Sequence, residues 1–266
     1  MEIDPTQQYD APVVFGPSRF PDVTAMGSVR SVSIPFVTEP AAMAKLLPPF
    51  LEPADPPVVT VGHTMNRDVD YMGGRGYNIV RVAFSAIHRG SGETIAAPYA
   101  PVIWENDAAP IILGRERGGY AKLVGTIPDL DEHAGGCTFS LFEYDVRLLH
   151  AGVDGLRPAT EQELADIRAA AADSVSFGWK YIPGSGATPD ADYGVLLRAQ
   201  YDYSAAWRGE GTVTFDTASA ATAPYSAHII SALAGLPVLE PRPATIVQGS
   251  MKLPRTEVRR LDGQGP

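Results

Sequence analysis

The sequence predicts a mainly β protein of the α+β kind, in which large antiparallel sheets close into a barrel-like cavity and the helices are few and short. Two observations and a general property of sheets predict it. Glycine and proline, 26 and 24 of 266 residues, punctuate the chain too often for long helices. Many short runs between them alternate with a period of two. The clearest covers residues 77–88, where Ile79, Arg81, Ala83 and Ser85 alternate with Asn78, Val80, Val82 and Phe84. Sheets of this extent close or stack, because open edges invite aggregation.

Residues 1–27, rich in Pro, Gly and Asp, predict an extended arm. Residues 28–37 alternate as a strand. Thr38 can cap a short helix through Leu47, which Pro48 and Pro49 end. Residues 58–63 read as a buried strand, 66–76 as a polar, glycine-rich loop, and 77–88 as the strand described above. Further strands are predicted at 99–105, 110–117 and 122–127, and 138–150 is the longest strand pattern. Thr160 and Glu163 form a capping box that opens a helix running to about Ala172. Residues 174–191, with Gly184-Ser185-Gly186, read as irregular. Strands follow near 194–200, 211–216 and 245–252, with a helix over 224–236. Residues 255–266 form a polar tail. No internal repeat or linker interrupts the chain, which predicts one domain over 1–266.

Composition excludes several function classes. A formal net charge of −10 without a basic run argues against nucleic acid or an anionic membrane as partner. Cys137 is the only cysteine, so no disulfide forms within the chain; with no signal-like N-terminus and no apolar run of transmembrane length, a cytoplasmic protein is expected. The five histidines have no metal-ligand spacing, Gly73-Gly74-Arg75-Gly76 precedes a strand rather than a phosphate-cradling helix, and Gly249-Ser250 lacks the second glycine of a nucleophile elbow. Neither metal nor cofactor is expected.

The candidate nucleophile is Lys122. Of four lysines (Lys45, Lys122, Lys180, Lys252) it alone stands among apolar, strand-like residues, with Gly118-Gly119, Arg115 and Arg117 just upstream. A free lysine has a pKa of about 10.4, so its neutral amine costs roughly 4–5 kcal/mol at pH 7. Apolar flanks and neighbouring cations both favour that neutral form, which attacks a ketone to give an imine. The plain alternative is a strand lysine reaching to water.

Gly114-Arg115-Glu116 followed by Tyr120-x-Lys122 resembles the active-site stretch of the acetoacetate decarboxylase family. Arg30 at the head of a strand, the Lys45–Pro49 region, Pro56-Pro57-Val58-Val59, Pro237-Val238 and Lys252-Leu253-Pro254 follow in the family's order. The resemblance implies a single domain of that type, a barrel-like fold, an imine-forming lysine and a homo-oligomer. There are departures from the family pattern. Leu123 stands where the family has a second lysine, Arg75 stands where it has an acid, and no acid is visible near Val61 or Gly62.

The reading that follows is a Schiff-base lyase. Lys122 forms an imine with a short oxo acid such as pyruvate, Arg30 or Arg75 pairs with its carboxylate, and Tyr120 or Glu116 moves protons; Arg117 is a further substrate-binding candidate. An aldehyde is the second substrate of an aldol condensation with dehydration. Decarboxylation of acetoacetate or a related 3-oxo acid, and a non-catalytic ligand-binding barrel, are the alternatives.

Overall fold

The computed structural model describes residues 2–172, 174–254 and 257–261. After a 3-10 turn at Val13–Phe15, the elements run β1 (Val23–Val37), α1 (Pro40–Ala44), β2 (Glu52–Pro53), β3 (Val58–Val69), β4 (Tyr77–Arg89) and β5 (Thr94–Glu105). Next come α2 (Ala108–Gly118), β6 (Lys122–Val124), β7 (Asp131–His133), β8 (Gly136–Glu143), β9 (Val146–Pro158) and α3 (Glu161–Ala171). The remainder is β10 (Ser174–Ile182), β11 (Ala191–Phe215), α4 (Ala227–Ala234), β12 (Glu240–Pro241), β13 (Ala244–Pro254) and β14 (Arg259–Arg260).

Hydrogen-bonded neighbours follow the order β10-β5-β4-β3-β1-β13-β11-β9-β8-β7. Because β10 also pairs antiparallel with β11, the first seven strands of that path form a closed ring. The join between β5 and β10 is a single parallel step, Phe177 opposite Tyr99. Past the ring, β11 continues into pairing with β9, and β8 and β7 follow outward.

Side-chain alternation divides each ring strand between two environments. On β4, Val80, Val82 and Phe84 enter the main core together with Val32, Ile34, Val59, Val61, Val102 and Trp104. Phe139, Leu141, Leu148, Leu149 and Ile230 close that core from β8, β9 and α4. The other face of the same strands lines a cavity inside the ring. The β4 alternation read from sequence thus separates core from cavity.

Several local expectations are corrected. Residues 110–117 belong to helix α2. The triplet Ile111-Ile112-Leu113 is too short to distinguish strand from helix by pattern, and the flanks decide: Asp107 accepts the Ala109 N–H at 2.8 Å, Pro110 fits the first turn, and Gly119 at φ 64° ends the helix. Residues 138–150 are two strands, split at Tyr144, which takes φ 51° in the turn between β8 and β9. The expected breaks at 201–210 are absent; β11 runs through as one 25-residue strand with a bulge between Tyr203 and Ala205. Residues 66–69 extend β3, and 174–182 form β10. The first helix has Glu39 at its N-cap position, without a side-chain capping bond, and Pro40 at its start, while the Thr38 N–H bonds the Pro57 carbonyl. The α3 capping box forms as read, Thr160 Oγ1 accepting from Glu163 N at 3.2 Å and Glu163 returning the bond. In the tail, Arg259–Arg260 pairs with β11; residues 255, 256 and 262–266 lie outside the described residues.

Candidate active site

Lys122 begins β6, which pairs parallel with the end of β5, Ile103 opposite Lys122 and Glu105 opposite Val124. Ile103, Glu105 and Lys122 therefore share a face, and it is the cavity face. Lys122 is 9% exposed. Its Nζ lies 2.8 Å from Glu105 Oε1 and donates to the Pro110 carbonyl at 2.9 Å. Gly114, one turn further along α2, packs flat against the lysine stem, where a Cβ would fall 2.5 Å from Lys122 Cε. Gly119 brings the chain equally close to the Lys180 backbone, where a Cβ would meet Lys180 N at 2.6 Å. The two arginines proposed to flank the amine serve other ends. Arg115 donates to the Lys122 carbonyl at 2.8 Å, fixing the strand start. Arg117 pairs through Nε and Nη2 with Asp10 of the N-terminal arm, at 2.8 and 2.7 Å.

Glu105 is a residue that sequence reading missed. Its carboxylate is buried, and burial raises its pKa, with the Lys122 charge opposing that rise. A carboxyl that holds its proton longer than usual, in contact with an amine in a dry site, can exchange a proton with it.

The cavity encloses about 370 Å³, within the range of small-molecule sites. Its polar side chains include Asn66, Tyr77, Arg81, Glu105, Tyr120 and Lys122; Ala83, Pro98, Ala100 and the α3 residues Ile167, Ala170 and Ala171 make an apolar end. Arg81 is opposite Ile103 on β5, which is opposite Lys122 on β6. Two strand spacings separate the Arg81 and Lys122 backbones, about 10 Å, so both side chains reach a small molecule between them. Among the described residues Arg81 has no hydrogen-bonding or ion-pair partner, and its charge acts on Tyr120 and Tyr203. Burial pushes the Tyr120 phenol up to about 12, a hydrogen bond with the Ser176 side chain opposing it, so Tyr120 is a neutral O–H group near neutral pH. Tyr201 and Tyr203 stack 5.4 Å apart on the facing wall.

The other sequence candidates lie elsewhere. Arg30 points to the opposite face of β1 from Val29 and Ser31, pairs with Glu132 and Gln248 and sits 4.8 Å over the Trp207 ring. Arg75 is exposed and donates to the Met72 carbonyl. The Glu116 side chain is exposed, while its carbonyl accepts from Lys180 Nζ. Arg117 lines a separate pocket of about 90 Å³ that meets the cavity at Tyr77, Tyr120 and Lys122. Of the six candidates, Lys122 and Tyr120 come together in the cavity.

The family model of acetoacetate decarboxylase matches residues 10–259. The chain belongs to the acetoacetate decarboxylase family. Solved structures share the fold of this family member. An acetoacetate decarboxylase matches with a TM-score of 0.76 at 18% identity over 97% of this chain and 96% of the other. The acetoacetate decarboxylase of Legionella pneumophila subsp. pneumophila str. Philadelphia 1 matches at 0.72 and 16% identity, over 92% and 91%. The enduracididine biosynthesis enzyme MppR complexed with pyruvate matches at 0.66 and 20% identity, over 90% of each chain. MppR is also known with the condensation product of pyruvate and imidazole 4-carboxaldehyde. No curated protein matches the sequence. Family membership makes this chain one of a group of lyases. Among the described residues, no helix is long and apolar enough to cross a membrane.

Proposed function

We propose that this protein is a lysine Schiff-base lyase that condenses a short 2-oxo acid such as pyruvate with an aldehyde and eliminates water. The observation that carries the proposal is the cavity itself. It holds one buried amine touching one buried carboxylate and, two strands along the same wall, an arginine that has no carboxylate partner among the described residues. An arginine is suited to hold a substrate carboxylate through two parallel bonds.

In this reading Lys122 passes a proton to Glu105 across 2.8 Å, and the neutral amine attacks the C2 carbonyl. Glu105 returns that proton to the carbinolamine hydroxyl, which leaves as water, and the protonated imine forms. Glu105, as carboxylate, removes a C3 proton, and the electron pair becomes the enamine. Carbon 3 attacks the aldehyde carbon; the carbonyl pair moves to oxygen, which takes the proton back from Glu105. Removal of the second C3 proton expels the hydroxyl as water, and hydrolysis of the imine frees the unsaturated 2-oxo acid. Tyr120 donates to the carbinolamine oxygen as a neutral O–H group. Arg81 opposes loss of the carboxylate as carbon dioxide, because it stabilises the charged ground state.

Decarboxylation of acetoacetate or a related 3-oxo acid at the same lysine is the second reading. It is favoured by the Glu105 carboxylate beside Nζ, whose charge repels a substrate carboxylate placed there. A homo-oligomer acting in the cytoplasm belongs to the same proposal. Borohydride trapping with pyruvate and with acetoacetate, mapped by peptide mass, tests the amine, with Lys122→Met as control. Product analysis then separates a conjugated enone from acetone and carbon dioxide. An adduct that survives in Lys122→Met overturns the proposal.

A further inference from the structure

The cavity contains a polar group for which the steps above have no use. Asn66, on β3, is fully buried and lines the cavity, yet neither its Oδ1 nor its Nδ2 has a hydrogen-bond partner. The large majority of buried side-chain polar groups are satisfied, so an amide that lines a cavity and is left open at both its oxygen and its nitrogen offers a place for another molecule to complete the bonding. The Asn78 carboxamide, one residue beyond the cross-strand neighbour of Asn66, shows the usual state; its Nδ2 bonds the Ile127 carbonyl at 3.0 Å and Asp129 at 2.8 Å.

Strand register gives the direction. Arg81, Ile103 and Lys122 form one cross-strand row. Thr64, Ile79 and Glu105 form the next row, about 7 Å along the strands. Asn66 and Tyr77 form the row after that. The groups therefore come in the order carboxylate anchor and imine lysine, then base, then amide. A 2-oxo acid held by Arg81 and Lys122 turns C3 toward Glu105, and the carbon that C3 attacks then lies on the Asn66 side.

We infer that the Asn66 carboxamide binds the oxygen of the acceptor aldehyde and of the hydroxyl it becomes. Nδ2 donates to the carbonyl oxygen as the π pair moves onto it, and Oδ1 accepts from the hydroxyl that follows. The inference rests on the Schiff-base reading above and adds to it the residue that receives the acceptor: the oxygen of the aldehyde meets the Asn66 amide.

The test uses Asn66→Leu, which keeps the volume and removes both polar atoms. Three readouts are taken on the full chain: borohydride trapping of pyruvate, deuterium exchange at the pyruvate methyl, and enone formation with benzaldehyde and with imidazole 4-carboxaldehyde. Loss of one oxyanion donor costs about 10²–10³ in rate. Expected are trapping and exchange within about threefold of wild type, enone formation down about 100-fold, and a melting temperature no lower than wild type, since no native bond is lost. Enone formation within about threefold of wild type overturns the inference. So does a lowered melting temperature with loss of trapping, which makes the amide structural. A wild-type protein that exchanges but condenses neither aldehyde removes the acceptor and with it the role of Asn66, leaving the Lys122 imine standing. A wild-type protein that traps no pyruvate refutes the Schiff-base reading itself.

Discussion

Replacing Gly114 by alanine tests the placement of the amine without touching a polar group. The added Cβ falls 2.5 Å from Lys122 Cε, 2.6 Å from Nζ and 2.7 Å from Cδ. Carbon atoms in ordinary contact stand about 3.5–4.0 Å apart, so the lysine tip must retreat by about 1 Å. Nζ is held at 2.8 Å from Glu105 and 2.9 Å from the Pro110 carbonyl, and a shift of that size lengthens both beyond useful hydrogen bonds. A misplacement of about 1 Å costs about 100-fold in turnover, or about 2.7 kcal/mol on the barrier. The fold is spared, because alanine inside a helix gains about 1 kcal/mol over glycine, which offsets the weakened ion pair. The assay measures the rate of borohydride-trappable imine with pyruvate, kcat/KM and the melting temperature. Turnover within about threefold of wild type refutes the argument that the lysine is held in one position. So does a melting temperature lower by about 10 °C, which places the clash on the backbone.

Arg81→Met is expected to raise KM for pyruvate by about 10–100-fold, the loss of about 1.5–3 kcal/mol from bonds to a charged group, while borohydride trapping of acetone is unchanged; equal effects on both ketones exclude a carboxylate anchor. Glu105→Gln is expected to slow deuterium exchange at the pyruvate methyl by about 100-fold, and the wild-type rate is expected to rise with pH through a midpoint above the usual carboxylate range, since burial raises Glu105; an unchanged pH profile in the glutamine variant removes Glu105 as the base. His63 donates its Nε2–H to the Pro128 carbonyl at 3.0 Å, and burial lowers its pKa from the ordinary 6.5 to about 4. Its neutral ring supports stability fully above pH 6.5, and that support fades as pH falls to about 4, by about 3 kcal/mol in all, because the unfolded chain takes up a proton that the folded one refuses. Urea unfolding at stepped pH is expected to show this decline flattened in His63→Gln; parallel profiles refute it.

Local signals were legible from the sequence and non-local ones were not. Thr160 and Glu163 announce α3 because a capping box is complete within four residues. The β4 alternation placed Arg81 on one face, but only strand closure reveals that this face lines a cavity. Lys122 stood out by its own flanks. Glu105 and Asn66 did not, because each ends or extends an ordinary strand and joins the cavity of the lysine only through the pairing of β3, β4, β5 and β6. Arg30 and Arg75 were linked to the site by order along the chain, which cannot tell the two faces of β1 apart or show whether a loop points inward.

One strand belongs to both halves of the molecule. The middle of β11 carries Tyr201 and Tyr203 into the cavity, and its far end, Trp207 to Phe215, carries the pairing with β9. Neither the ring nor the outer sheet can therefore melt by itself without tearing a single continuous backbone ladder. Amide protons at Tyr201 and Val213 should exchange with solvent at a common opening free energy, and a proteolytic cut at the Tyr203–Ala205 bulge should release both halves at once.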